Sequence, residues 1–289
     1  MSRAAAEVVR DPADVLVSAR VAVDHAQADP SASLDTALRI LERGDIDAET
    51  AATASWAAGL AARELNRLDV ADEHLSRAMV TATAADLPEL AARARSSRSL
   101  VLAYLGRTDE ALLELGLAEP HLSTTEAARV QMQRGLILQR TGRLEEALDA
   151  YHRALPGLVG GGDRLAEVRL RVNRAVARTY RNELAAAEAD LLRARVLAAD
   201  LAQPLQVAAC AHNLAFLYGR RGDVPRALAW FDRAGEEYRP LAVDAGLAAV
   251  LLSDRAEVLL NAGLAAEACT CAEQALAVLE RSDKRVDQA

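Results

Sequence analysis

The stretch His212-Asn-Leu-Ala-Phe-Leu-Tyr-Gly-Arg-Arg-Gly-Asp-Val-Pro-Arg-Ala-Leu-Ala-Trp-Phe-Asp-Arg-Ala234 carries a glycine at 222, an alanine five residues later, an aromatic four beyond that and a second alanine at its end. Glycine can close a helix by taking the left-handed conformation, and the small and large residues that follow share one helical face. The stretch therefore predicts a helical hairpin turning at Gly222. The frame recurs along the chain. Turn glycines stand at Gly106, Gly142 and Gly263, with asparagine in their place at Asn66 and Asn182. Five residues after each anchor come Ala71, Ala111, Ala147, Ala187, Ala227 and Ala268, and seven further on Ala78, Ala118, Ala154, Ala194, Ala234 and Ala275. Between the two alanines stand Leu75, Leu115, Tyr151, Leu191 and Phe231, with Ala272 as the exception.

A repeat of 36 to 41 residues is the mark of stacked hairpins, because each hairpin leaves a face that only its neighbour can bury. Composition agrees. The 289 residues are 52% hydrophobic and 26% charged, aromatics are 3%, and alanine and leucine, strong helix formers, dominate the apolar share. The expected fold class is all-α: a right-handed α-solenoid of about seven antiparallel hairpins in one continuous domain, 1–289. Residues 1–46 form an N-terminal hairpin, 47–282 six repeats, and 283–289 a tail or the start of a further repeat. In the first hairpin Pro12 opens one helix, and Ser33 to Arg43, stopped by Gly44, forms the second. All eight prolines are expected at boundaries: Pro12, Pro88, Pro204 and Pro225 at helix starts, Pro30, Pro120, Pro156 and Pro240 in connections. Asp86, Asp163 and Asp223 stand where caps are expected.

The unit with Gly135, Leu138, Gly142, Ala147, Tyr151 and Ala154, and the unit with Ala215, Tyr218, Gly222, Ala227, Phe231 and Ala234, resemble the tetratricopeptide repeat family. The period exceeds that family's usual length of about 34 residues, which implies longer helices. With Asn173-Arg174-Ala175, Asn213-Leu214-Ala215 and Asp254-Arg255-Ala256 ahead of their turns, the units are similar to the kinesin-light-chain type and to the repeats that actinobacterial proteins join to a caspase-like CHAT protease.

The resemblance implies that the first helix of each hairpin lines a concave face, and that the position nine residues before the turn points into it. Here that position holds Ala57, Ser97, Gln133, Asn173, Asn213 and Asp254. Asparagine and glutamine both donate and accept, which suits them to an extended peptide backbone. Neighbouring inward positions add Arg93, Arg129, Arg140, Arg169, His212 and Arg220, with Tyr180 and Phe216 as platforms. An acidic or carboxylate-bearing peptide fits such arginines, which pair with carboxylates through two parallel hydrogen bonds. The bland alternative is that the polar ladder ties neighbouring repeats together.

The functional expectation is a protein-interaction scaffold, and the alternative is the regulatory region of a larger enzyme such as a CHAT protease, or of a transcriptional regulator. The stop at Glu280 to Ala289, directly after a second helix, favours that alternative. A net charge of −8 argues against nucleic acid as partner. No secretory signal opens the chain, and the longest apolar run, Ala245 to Leu252, is short of a membrane span, so a cytoplasmic protein is expected.

No enzymatic activity, cofactor or metal is expected. Five scattered histidines, His25, His74, His121, His152 and His212, have no metal-ligand spacing. Cys210 and His212 are two apart on a helix and face different ways. Cys210, Cys269 and Cys271 are read as reduced packing residues. The glycines at 160–162 lack the lysine and hydroxyl residue of a phosphate loop and follow a helix, so Asp163 is read as capping the next helix. Arg221-Gly222-Asp223 spells an adhesion tripeptide but belongs to the hairpin turn.

Overall fold

The computed structural model describes residues 12–241 and 243–286. Among these every regular element is helical. Fourteen α-helices follow in order: α1 Pro12–His25, α2 Pro30–Leu41, α3 Ala48–Glu64, α4 Leu68–Ala84, α5 Pro88–Tyr104, α6 Thr108–Ala118, α7 Thr124–Arg140, α8 Leu144–Gly160, α9 Arg164–Tyr180, α10 Leu184–Asp200, α11 Pro204–Arg221, α12 Val224–Tyr238, α13 Ala245–Asn261 and α14 Ala265–Val286. Short 3-10 turns, Glu119–His121 and Arg239–Leu241, follow α6 and α12. The fold is an all-α array of helical hairpins of the solenoid class. The stretches 1–11 and 287–289, parts of the expected N-terminal hairpin and C-terminal tail, lie outside the described residues.

The turn anchors have the conformation their spacing predicts. Asn66, Gly106, Gly142, Asn182, Gly222 and Gly263 all have φ between 57° and 80°. After Asn66, Gly106, Asn182, Gly222 and Gly263 the next residue donates back to the helix it left, as Asp223 N does to Tyr218 O at 2.9 Å. The long period has a simple source. Most helices are 17 residues long, such as α3, α9 and α10, and the one shortened interval contains α6, of 11 residues.

The connections between hairpins reuse the same device at Asp86, Gly162 and Ala202, whose φ values are 56°, 70° and 51°. The reading of Asp86 as a cap is thereby corrected: Leu87 occupies the N-cap of α5 without a side-chain bond. Aspartate tolerates the left-handed region better than a branched residue, and a short connection demands it. Two proline positions are corrected as well. Pro30 is the first residue of α2, capped by Asp29, whose carboxylate accepts from Ala32 N at 3.0 Å. Pro156 lies inside α8, where the hydrogen bond it cannot give falls on the exposed side of the helix and water can replace it. Asp163 and Asp223 do cap α9 and α12, accepting from Ala166 N and Arg226 N at 3.2 Å each.

The residues divide into two compact units, 1–141 and 142–289. In the first, α1, α3, α5 and α7 neighbour one another in succession, and α2, α4 and α6 back them. Ala71, Ala78, Ala111 and Ala118 are fully buried, with Leu75 and Leu115 between them. In the second, α9 lies beside α11 and α11 beside α13, with α10, α12 and α14 as their hairpin partners. Ala187, Ala194, Ala227 and Ala234 are fully buried around Leu191 and Phe231. Ala272, the residue that broke the pattern, is exposed. Helix approach is close enough that a Cβ on Gly219 of α11 would fall 2.2 Å from Val258 Cγ2 of α13.

Ala202 pays a steric penalty that glycine would not. A non-glycine residue in the left-handed region costs about 1–2 kcal/mol, partly offset by the freedom glycine gains when unfolded. Ala202→Gly should therefore raise unfolding free energy by about 0.5–1 kcal/mol in urea titration. Ala199→Gly, one turn back inside α10, should lower it by about 1 kcal/mol.

Candidate binding face

In the second unit α9 places Arg169, Asn173 and Tyr180 at spacings of four and seven, hence on one face. Arg169 is exposed, and neither it nor Asn173 has a polar partner among the described residues. The Tyr180 ring leans on Phe216 of α11, with centroids 5.9 Å apart. Arg220, one turn beyond Phe216, is exposed and likewise without a polar partner. Of these five side chains, Arg169, Tyr180 and Arg220 are exposed, Asn173 and Phe216 are half-buried, and Tyr180 and Phe216 are in contact. Asn213 is half-buried, and its Nδ2 donates to Ala209 O of its own helix at 2.8 Å. One acceptor atom of its amide remains for a ligand.

His212 does not join this surface. It is only 7% exposed, enclosed by Phe231 and Tyr238 of α12, and its Nε2 lies 2.9 Å from Asp254 Oδ2 of α13. Adjacent residues on a helix point about a quarter-turn apart, so Asn213 and His212 cannot both face outward on one line. Asp254, read as a ladder position, is tied to His212 and links α13 to α11.

In the first unit the ladder positions are also engaged. Ser97 Oγ accepts from Trp56 Nε1 of α3 at 2.9 Å and donates to Arg93 O at 3.0 Å. Gln133 of α7 donates through Nε2 to Ser96 O and Ser99 Oγ of α5, at 2.9 and 2.7 Å. Arg93 pairs with Glu89 and Glu126, Arg129 is exposed, and the Arg140 guanidinium sits 5.0 Å over the Tyr104 ring. Ala57 is fully buried.

The strongest polar structure in either unit escaped the sequence reading. In the second, Asp190 of α10 is 3% exposed and receives the guanidinium groups of Arg171, Arg174 and Arg178 of α9, at 3.2, 2.7 and 2.6 Å. In the first, Glu114 of α6 receives Arg95 and Arg98 of α5, at 2.7 Å each. The equivalent pairs Arg98–Glu114 and Arg174–Asp190 are both 16 residues apart and straddle their turn anchor symmetrically. An arginine eight residues before an anchor and a carboxylate eight after it was the available signal.

Nucleophile chemistry finds little here. Cys210 is fully buried, and burial pushes its thiol up to about 12, so thiolate is scarce near neutral pH. Cys271 is buried, whereas Cys269 is exposed, which corrects its assignment as a packing residue. Burial also lowers the pKa of His74 and His152. Among the described residues no group of three potential metal ligands comes together, and no helix is long and apolar enough to cross a membrane.

With this geometry in place, comparison with known proteins is informative at the level of fold. A tetratricopeptide repeat family model matches residues 207–235, the α11–α12 hairpin. This hairpin is similar to a tetratricopeptide repeat. No curated protein sequence matches the chain. Among solved structures, a Rap protein complexed with Competence and Sporulation Factor superposes with a TM-score of 0.68 at 15% identity, over 93% of this chain and 78% of that one. The Cut9–Hcn1 hetero-tetramer of the APC/C gives 0.69 at 15%, over 91% of this chain, which spans only 46% of that one. Nearly identical TPR-like repeats of a kinesin light chain type from Podospora anserina give 0.56 at 12%, over 65% of this chain and 94% of that one.

Removing the acceptor of a buried charge cluster leaves its partners uncompensated. Asp190→Asn should destabilise by about 3–5 kcal/mol, read as a lowered urea midpoint. Glu73→Gln, which breaks the exposed Arg77–Glu73 pair, should leave the midpoint nearly unchanged.

Proposed function

We propose that the chain is a protein-interaction scaffold that holds a peptide segment or partner domain on the first-helix face of its repeats. One observation carries this reading: α9 and α11 carry Arg169, Asn173 and Arg220 without polar partners, and the same two helices bring Tyr180 and Phe216 into contact. Charged and amide groups aligned around an aromatic platform are what an extended peptide uses, the backbone for the amide and the carboxylates for the arginines. The similar fold of a Rap protein bound to Competence and Sporulation Factor supports the reading. A peptide with an acidic side chain or free C-terminal carboxylate is the ligand these arginines favour. The reading is the same for a chain acting alone and for one serving as the regulatory region of a larger enzyme or transcriptional regulator.

The half-free and free asparagines give the test its resolution. With a labelled peptide selected from an acidic library, Asn173→Ala should cost about 0.5–1.5 kcal/mol in binding and leave melting unchanged, since Asn173 holds no structure together. Asn213→Ala should cost less, its amide being already committed in part to Ala209. Arg169→Ala and Arg220→Ala should weaken the same peptide, with an effect that shrinks as salt rises. Unchanged affinity in all four variants would remove this face from the binding site.

A further inference from the structure

The first unit contains a feature that the ladder reading did not anticipate. A cavity of about 610 Å3 opens between α1, α3 and the start of α5, within the size range of small-ligand and peptide sites. Its charge is opposite to that of the α9–α11 face. Six charged side chains line it: Arg20, Asp24, Glu49, Asp86, Glu89 and Arg93. The two cations are already neutralised, Arg20 by Glu49 at 2.7 Å and Arg93 by Glu89 and Glu126 at 2.6 and 2.8 Å. Asp24 and Asp86 are exposed and have no cationic partner among the described residues. The unbalanced charge of the cavity is therefore negative.

Two further groups make this a built site. Trp56 forms part of the wall, and its indole N–H is held by Ser97 Oγ, which fixes the ring. A fixed indole is the strongest aromatic partner for a cation. Thr53 is 4% exposed, lines the cavity, and its hydroxyl has no hydrogen-bond partner among the described residues. Its hydroxyl is therefore available to a donor or acceptor from a ligand. Val23, Leu87 and Leu90 supply apolar wall for an alkyl chain.

We propose that this cavity binds a lysine- or arginine-bearing peptide segment of a partner protein, its cationic head facing Asp24 and Asp86 and its stem lying along Trp56. Lysine and arginine combine the two requirements, an apolar stem and a terminal cation. The backbone of the same segment can reach the Thr53 hydroxyl. The site is independent of Arg169, Asn173 and Arg220, so its failure and theirs are separable.

The test uses the whole chain. The two tryptophans are Trp56 and Trp230, so Trp230→Phe leaves Trp56 as the reporter. A capped pentapeptide with two lysines, and the same peptide with glutamates, are titrated while Trp56 emission is followed. The lysine peptide should give a saturable change that the glutamate peptide does not, and added salt should weaken it. The double substitution Asp24→Asn with Asp86→Asn should reduce affinity roughly tenfold or more, since two charge-assisted contacts are lost. Both positions are exposed, and asparagine tolerates the left-handed backbone at 86, so thermal melts should match the parent. Arg169→Ala should not alter this titration. Equal response to both peptides, no saturable response, or unchanged affinity in the double variant would overturn the proposal. Displacement of the lysine peptide by free spermidine at equal or lower concentration would overturn the peptide assignment.

Discussion

Everything in this chain depends on one close contact, repeated: two helices approach across a pair of alanines because the chain between them reverses on a single left-handed residue. The turn and the contact need each other. A longer loop would let the helices drift apart, and a larger residue at either alanine would hold them apart. With both in place, Leu75, Leu115, Leu191 or Phe231 fills the gap on the same face and excludes water. Gly219 carries the principle beyond the hairpin, since its missing Cβ is what admits Val258 from the next first helix.

Such packing consumes the apolar residues and leaves the polar ones to specify register. The clusters around Asp190 and Glu114 sit where first and second helix meet, and each carboxylate fits only the arginines of its own hairpin. A slip by one residue would bury those charges unpaired, which is far costlier than the pair is stabilising. His212 with Asp254, and Gln133 with Ser99, act between neighbouring first helices. Among the described residues left without a polar partner are Arg169, Asn173 and Arg220 in one unit and Asp24, Asp86 and Thr53 in the other. The binding proposals rest on those leftovers.

The hairpins were legible because glycine, asparagine and alanine have steric consequences that do not depend on distant neighbours. All six anchors could be read from spacing alone, and Ala272 stood out there as the one unit without a larger residue between its alanines. The connections between hairpins were harder, because a short connection imposes the left-handed conformation at Asp86 and Ala202, and alanine gives no sign of it in the sequence. Pro156 misled for the converse reason: a proline on a wet helix face costs little enough to be tolerated. The site was only partly legible. Spacing told which residues lie on a first helix, but whether a polar group is spent within the fold depends on the partner across the interface, as with Gln133 and His212. The acidic cavity at Trp56 was missed because its carboxylates come from a helix face and a connection that no single repeat position shares.

The central claim is that the alanine five residues after each turn is small because another helix lies against it. Paired melting measurements on Ala227→Leu and Ala272→Leu test this directly, since both alanines lie on second helices, Ala227 five residues after its turn and fully buried, Ala272 nine residues after its turn and exposed. The account predicts that leucine at 227 overpacks the hairpin and destabilises by about 1–3 kcal/mol, while leucine at 272 leaves the transition where it was. Equal melting temperatures for the two variants would contradict it.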